Sequence, residues 1–72
     1  MSNFNEHLRI LRKSQSKTQK QVALAIEVTE RNYQDFEYGK HKPSFDTIIK
    51  LCNFFDVSSD YLLGLSDDPK RR

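Results

Sequence analysis

The chain has 72 residues, 36% of them hydrophobic, with 12 Lys plus Arg against 10 Asp plus Glu, two Gly, two Pro, one Cys and no Trp. A chain this short buries only about 60% of the surface it exposes when unfolded, which argues for one domain and against a large catalytic cavity. Its longest apolar run, Val22 to Ile26, falls far below the roughly 20 residues that cross a bilayer, and Met1 to Lys13 lacks the apolar stretch of a secretory signal, so a cytoplasmic location is expected.

Phe4, Leu8 and Leu11 recur at helical spacing, with Arg12 continuing the line from Leu8, and predict a first helix from Phe4 to about Lys13. Thr18 followed by Gln21 is a capping box opening a second helix, Gln19 to about Ile26, with Val22, Ala23 and Ile26 on one face. Only Glu27 and Val28 separate it from Thr29, a second N-cap. A third helix, Glu30 to about Tyr38, then turns Tyr33, Phe36 and Glu37 inward until Gly39 offers a left-handed stop. Pro43 ends the following loop, and Ser44 caps a fourth helix, Phe45 to Phe55, whose expected core stripe is Phe45, Ile48, Cys52 and Phe55. Ser58 opens a short last helix that ends at Gly64, leaving residues 65–72 with the composition of a tail.

No stretch alternates with period two. The expected fold is therefore all-α, a compact five-helix bundle formed by residues 1–64 with a C-terminal tail at 65–72. Cys52 has no partner for an internal disulfide, so stability must come from packing and helix caps, with a partner chain as one further source to consider. Charge is unevenly spread: up to Lys50 there are nine basic and six acidic residues, and from Leu51 to Asp68 four acidic and none basic. That asymmetry suits a small module with one nucleic-acid face.

The second and third helices, joined by a short connection that holds Val28, make a helix-turn-helix. Several segments in order carry a wider likeness: Thr18-Gln19, Val22-Ala23, Ile26-x-Val28-Thr29, Phe36-Glu37-x-Gly39-Lys40, Lys42-Pro43-Ser44 and Val57-Ser58-x-Asp60-Tyr61-Leu62-Leu63-Gly64. With these, residues 4–64 resemble the lambda-repressor and Cro type of helix-turn-helix, also called the xenobiotic response element family. The sequence departs from that family at three turns where glycine is frequent and Ser16, Glu27 and Asp56 stand here, which predicts some backbone strain. Lys17 replaces a leucine, and its stem is expected to cover the apolar spot that a leucine would fill.

The resemblance implies a prokaryotic or phage transcriptional regulator, most often a repressor, whose third helix enters the DNA major groove while the second crosses the backbone. The outward face of the third helix offers Glu30, Arg31, Gln34 and Asp35, with Asn32 at its flank, as candidate base readers. Arg31 suits guanine O6 and N7, Gln34 suits adenine N6 and N7, and a carboxylate accepts from cytosine N4. Thr18, Gln19 and Lys20 at the second helix, Lys40 and Lys42 in the loop, Ser44 at the fourth helix and Tyr38 are the candidate phosphate contacts. Gln19 has no evident structural task and is the stronger phosphate candidate beside Thr18, which caps.

Arg12 and Glu37 both fall on apolar helix faces, where an unpaired charge is costly, and mutual pairing resolves both; the resemblance implies the same bridge. No catalytic residue, cofactor or metal is expected: His7 and His41 are isolated, and Cys52 reads as a small core residue. Phe54, Tyr61, Leu63 and Leu65 form a candidate homodimer contact, which would pair two reading helices on a near-palindromic operator. The alternative is a protein-interaction module, such as an antitoxin or regulatory subunit, whose DNA face is secondary.

Overall fold

The computed structural model describes residues 4–70. Five helices follow one another: α1 (Phe4–Ser14), α2 (Gln19–Ala25), α3 (Glu30–Tyr38), α4 (Phe45–Phe55) and α5 (Ser59–Leu62). The described residues contain no strand.

Four of the five helices start at a hydroxyl. Thr18, Thr29, Ser44 and Ser58 all have extended backbone, and their side-chain oxygens accept from the amides of Gln21, Asn32, Thr47 and Tyr61. At α2 the box is complete, because the Thr18 amide donates to Gln21 Oε1 at 2.8 Å. Each such cap satisfies amides that the helix itself leaves without acceptors.

Five helix ends share one geometry. A residue in the left-handed region is followed by one whose amide reaches back five positions: Lys17 to the Arg12 carbonyl, Val28 to Ala23, Lys40 to Asp35, Val57 to Cys52 and Leu65 to Asp60. The left-handed positions are Ser16, Glu27, Gly39, Asp56 and Gly64, with φ of 57°, 63°, 77°, 57° and 79°. Only two of the five are glycine. At Val28 and Val57 the residue after the left-handed turn packs against or within the core, as this kind of helix end favours. Lys17 occupies the equivalent place after α1, half-buried, with its Nζ 5.9 Å from the centre of the Phe54 ring.

The core runs through all five elements: Leu8 and Leu11 of α1, Val22 and Ala23 of α2 with Ile26, Tyr33 and Phe36 of α3, Leu51, Cys52 and Phe55 of α4, and Leu62 of α5 with Val57 just before it. The stripe of α4 differs from the expected one. Phe45 is 78% exposed, whereas Leu51 is fully buried. Phe45 is the first residue of α4, directly after its cap, and the core stripe begins one turn further on, with Ile48 partly buried and Leu51, Cys52 and Phe55 buried.

Phe54, expected at a homodimer contact, packs inward instead. It is half-buried against the core, edge-on to Phe55 with ring centres 5.1 Å apart. Residues 65–70 turn back rather than trailing away: the Leu65 amide donates to the Asp60 carbonyl, and the Ser58 amide donates to the Pro69 carbonyl. Residues 71 and 72 of the expected tail lie outside the described residues.

Candidate nucleic-acid interface

The Arg12 and Glu37 side chains meet between α1 and α3. Arg12 Nε donates to Glu37 Oε2 at 2.6 Å and a terminal nitrogen donates to Oε1 at 3.2 Å, a two-pronged contact in which the carboxylate side chain is fully buried. The remaining arginine nitrogen donates to the Lys17 carbonyl at 2.9 Å, tying down the turn before α2. Burial alone would push the Glu37 carboxyl up, but the donors around it, Arg12 foremost, outweigh that and hold it below its ordinary value of 4.5. The Glu37 hydrogen bond is the main cause that raises Arg12. The Tyr33 hydroxyl is buried beside this pair and meets no hydrogen-bond partner among the described residues; burial first, and then the Glu37 charge, push its pKa up.

The polar layer extends outward from Glu37. Gln19 Nε2 donates to Glu37 Oε1 at 3.1 Å, and Gln34 Nε2 donates to Gln19 Oε1 at 3.2 Å. Gln19 therefore has the structural task that its sequence context did not reveal: it bridges α2 to α3. Gln34 is half-buried rather than fully outward, because this bond draws its amide toward α2.

Arg31, Glu30 and Asn32 are exposed on α3, and Tyr38 at its end is 58% exposed. Asp35 departs from the expected arrangement. Its side chain is only 14% exposed, with Oδ2 lying 3.1 Å from His41 Nδ1, while its carbonyl accepts from the amides of Gly39, Lys40 and His41. Asp35 thus clasps the loop after α3, and its carboxylate is not free in the way that Arg31 is. A Cβ added at Gly39 would meet only the Asn5 side chain, at 3.5 Å, so it is the φ of 77° that calls for glycine there.

A shallow depression of about 520 Å³ lies where α1, α2 and α3 meet. Its wall includes Arg9, Lys13, Lys17 and Lys20 together with Thr18 and Gln19, against one carboxylate, Glu30, that is not already matched by Arg12. Lys40 and Lys42 are exposed in the loop, and Ser44 is exposed at the start of α4. The basic candidates for phosphate contact thus flank the exposed N-terminal part of α3 on the α2 side and follow it in the loop.

Of the four residues expected at a dimer contact, Leu63 and Leu65 are exposed, at 38% and 75%. Phe54 and Tyr61 are engaged within the chain. Tyr61 meets His7 edge-on with ring centres 5.0 Å apart, and His7 is half-buried. The sequence reasoning missed Phe45 and Ile49, both exposed on α4 beside the returning C-terminal segment.

These helices, with α2 and α3 joined by the Ile26 to Val28 turn, define a helix-turn-helix domain. A family model described as "Helix-turn-helix" matches residues 8–62, and the chain belongs to that family, in its lambda-repressor and Cro form. The chain is 41% identical over 66 residues to YobD of Bacillus subtilis, an uncharacterized HTH-type transcriptional regulator, covering 92% of this chain and 59% of that protein. It is 32% identical over 61 residues to RstR of Vibrio cholerae, a cryptic phage CTXphi transcriptional repressor, covering 85% of this chain and 54% of the relative. The chain therefore spans little more than half the length of these relatives. The P22 c2 repressor, solved in complex with a synthetic operator, superposes with a TM-score of 0.84 over 92% of this chain and 100% of its own, at 21% identity, a likeness of fold alone.

Proposed function

We propose that the chain binds double-stranded DNA sequence-specifically as a prokaryotic or phage transcriptional regulator, acting as a repressor in the cytoplasm, with α3 in the major groove. The observation that supports this best is the position of Arg31. It stands exposed on α3, a helix whose opposite face is locked by Tyr33, Phe36 and the buried Arg12–Glu37 pair, so its guanidinium can reach a guanine edge from a rigid support. Gln34 is the second base reader, Glu30 and Asn32 flank it, and Asp35 serves chiefly to hold the loop. Gln19, Thr18, Lys20, Lys40, Lys42, Ser44 and Tyr38 take backbone phosphates.

The domain functions as a homodimer on a near-palindromic operator. Leu63 and Leu65 support such a contact, and the exposure of Phe45 and Ile49 extends it along α4. The same apolar surface favours the alternative reading, a module that docks on another protein.

Selection of bound sites from a random duplex pool, followed by titration with salt, separates the two. A DNA-binding regulator enriches a sequence and loses affinity steeply as salt rises, with a slope that reports the phosphate contacts. On the enriched site, Arg31→Ala should cost about 1–3 kcal/mol and relax preference at one base pair, whereas Lys40→Ala should weaken all sequences alike and lower the salt slope by about one. Failure to enrich any sequence would leave only the protein-docking reading.

A further inference from the structure

The buried polar layer has a direction, and the direction starts at Glu37. A carboxylate held by a guanidinium can only accept hydrogen bonds, so Gln19 must turn its NH2 group toward Glu37 Oε1 and its carbonyl oxygen away. That oxygen in turn can only accept, so Gln34 must turn its NH2 group toward Gln19. We infer that Glu37 is a positioning residue for base recognition: acting through Gln19, it fixes the Gln34 amide with Oε1 and a single remaining N–H toward whatever lies outside α3. This rests on the reading of α3 as the DNA-contacting helix.

The consequence is a choice between purines. One acceptor beside one donor matches the N6 amino group and N7 of adenine, whereas guanine presents two acceptors, O6 and N7, and would set one of them against the Gln34 oxygen. An amide free to rotate by half a turn would lose this distinction, because its oxygen and nitrogen could exchange places.

The sequence enriched by the full chain provides the probe. Gln34→Ala identifies the base pair that Gln34 reads, as the one whose preference disappears. At that pair, Gln19→Ala should reduce the preference for adenine over guanine roughly tenfold, and adding Gln19→Ala to Gln34→Ala should cause no loss of preference beyond that of Gln34→Ala alone, since both act on one contact. A Gln19→Ala variant that weakens every sequence equally and keeps the adenine preference would overturn the inference.

Arg12→Met/Glu37→Gln tests the origin of the direction. Its neutral amide at position 37 can present either atom to Gln19, so the adenine preference should fall as it does in Gln19→Ala. If this variant does not fold, side-chain amide exchange in the DNA-free wild-type protein, followed by nuclear magnetic resonance, decides. Protected NH2 protons on both Gln19 and Gln34 support the relay, and two freely exchanging groups overturn it. Protection of both without any enriched sequence would sink the DNA-binding function itself and, with it, this role for Glu37, while leaving the hydrogen-bonded chain in place.

Discussion

The two sides of this molecule are built by different means. Between α1, α2 and α3 the contacts are directional: Arg12, Glu37, Gln19 and Gln34 form one hydrogen-bonded chain from the buried carboxylate to the surface. Around α4 the side chains pack chiefly through apolar surface, the returning C-terminal segment is tied by main-chain bonds such as that from the Ser58 amide to the Pro69 carbonyl, and part of the apolar surface, Phe45, Ile49 and Leu65, remains uncovered. Directional bonds hold side chains at set angles, which a reading helix needs. Apolar packing tolerates adjustment, which suits a surface that closes against a second copy.

The largest effect should come from cutting the directional side at its root. Arg12→Met leaves the Glu37 carboxylate buried with its principal donor gone and should destabilise the fold by about 3–5 kcal/mol in urea denaturation. Arg12→Met/Glu37→Met, which removes both charges, should recover much of that loss; an equal loss in both variants would mean that the charge pair is not what holds α1 to α3. Acid probes the same contact. Because the folded Glu37 pKa lies below its ordinary 4.5, its contribution to stability is complete above that value and disappears as pH falls through the folded value. Stability measured from about pH 6 to about pH 2 should therefore fall less steeply in the double variant than in the wild type.

On the apolar side the comparison narrows to two residues of α4. Leu51→Ala should cost about 2–5 kcal/mol, since it empties a fully buried site. Phe45→Ala should change the stability of the single chain by no more than about 0.5 kcal/mol, since that ring is 78% exposed. A large cost at Phe45 that depends on protein concentration would show that a second copy covers the ring, which sedimentation would confirm. Periodicity cannot separate these residues beforehand: steps of three and four fit Phe45, Ile48, Cys52 and Phe55 as well as they fit Ile48, Leu51, Cys52 and Phe55.

Other features were legible in advance for local reasons. Thr18, Thr29, Ser44 and Ser58 announce helix starts because a cap needs only residues within one turn of it. The Arg12–Glu37 pairing could be reasoned out because each charge sits where it cannot stand alone. The Gln19–Gln34 and Asp35–His41 contacts left no such mark. Glutamine, aspartate and histidine are unremarkable on a solvated helix face, and only the crossing of α2 over α3 or the path of the loop brings their atoms within 3.2 Å and 3.1 Å.

Small gains, not losses, are expected at the helix ends, where the two sides use the same device. Ser16, Glu27 and Asp56 carry φ near 60° without being glycine. Replacing each by Gly should relieve backbone strain and raise the thermal midpoint, by up to about 1 kcal/mol in stability. The gain should be smallest at Asp56, because aspartate tolerates the left-handed region better than glutamate does. At Glu27 the competing loss is slight: its carboxylate lies 3.8 Å from Lys50 Nζ, with the Glu27 side chain largely in solvent and that of Lys50 exposed, an arrangement that contributes little. Glu27→Ala separates the two effects, since it removes that ion pair while keeping a Cβ on the left-handed backbone. A Glu27→Ala variant as stable as Glu27→Gly would show that the carboxylate, and not the backbone, carries the cost, whereas a gain confined to the glycine variant places the strain in the turn between α2 and α3.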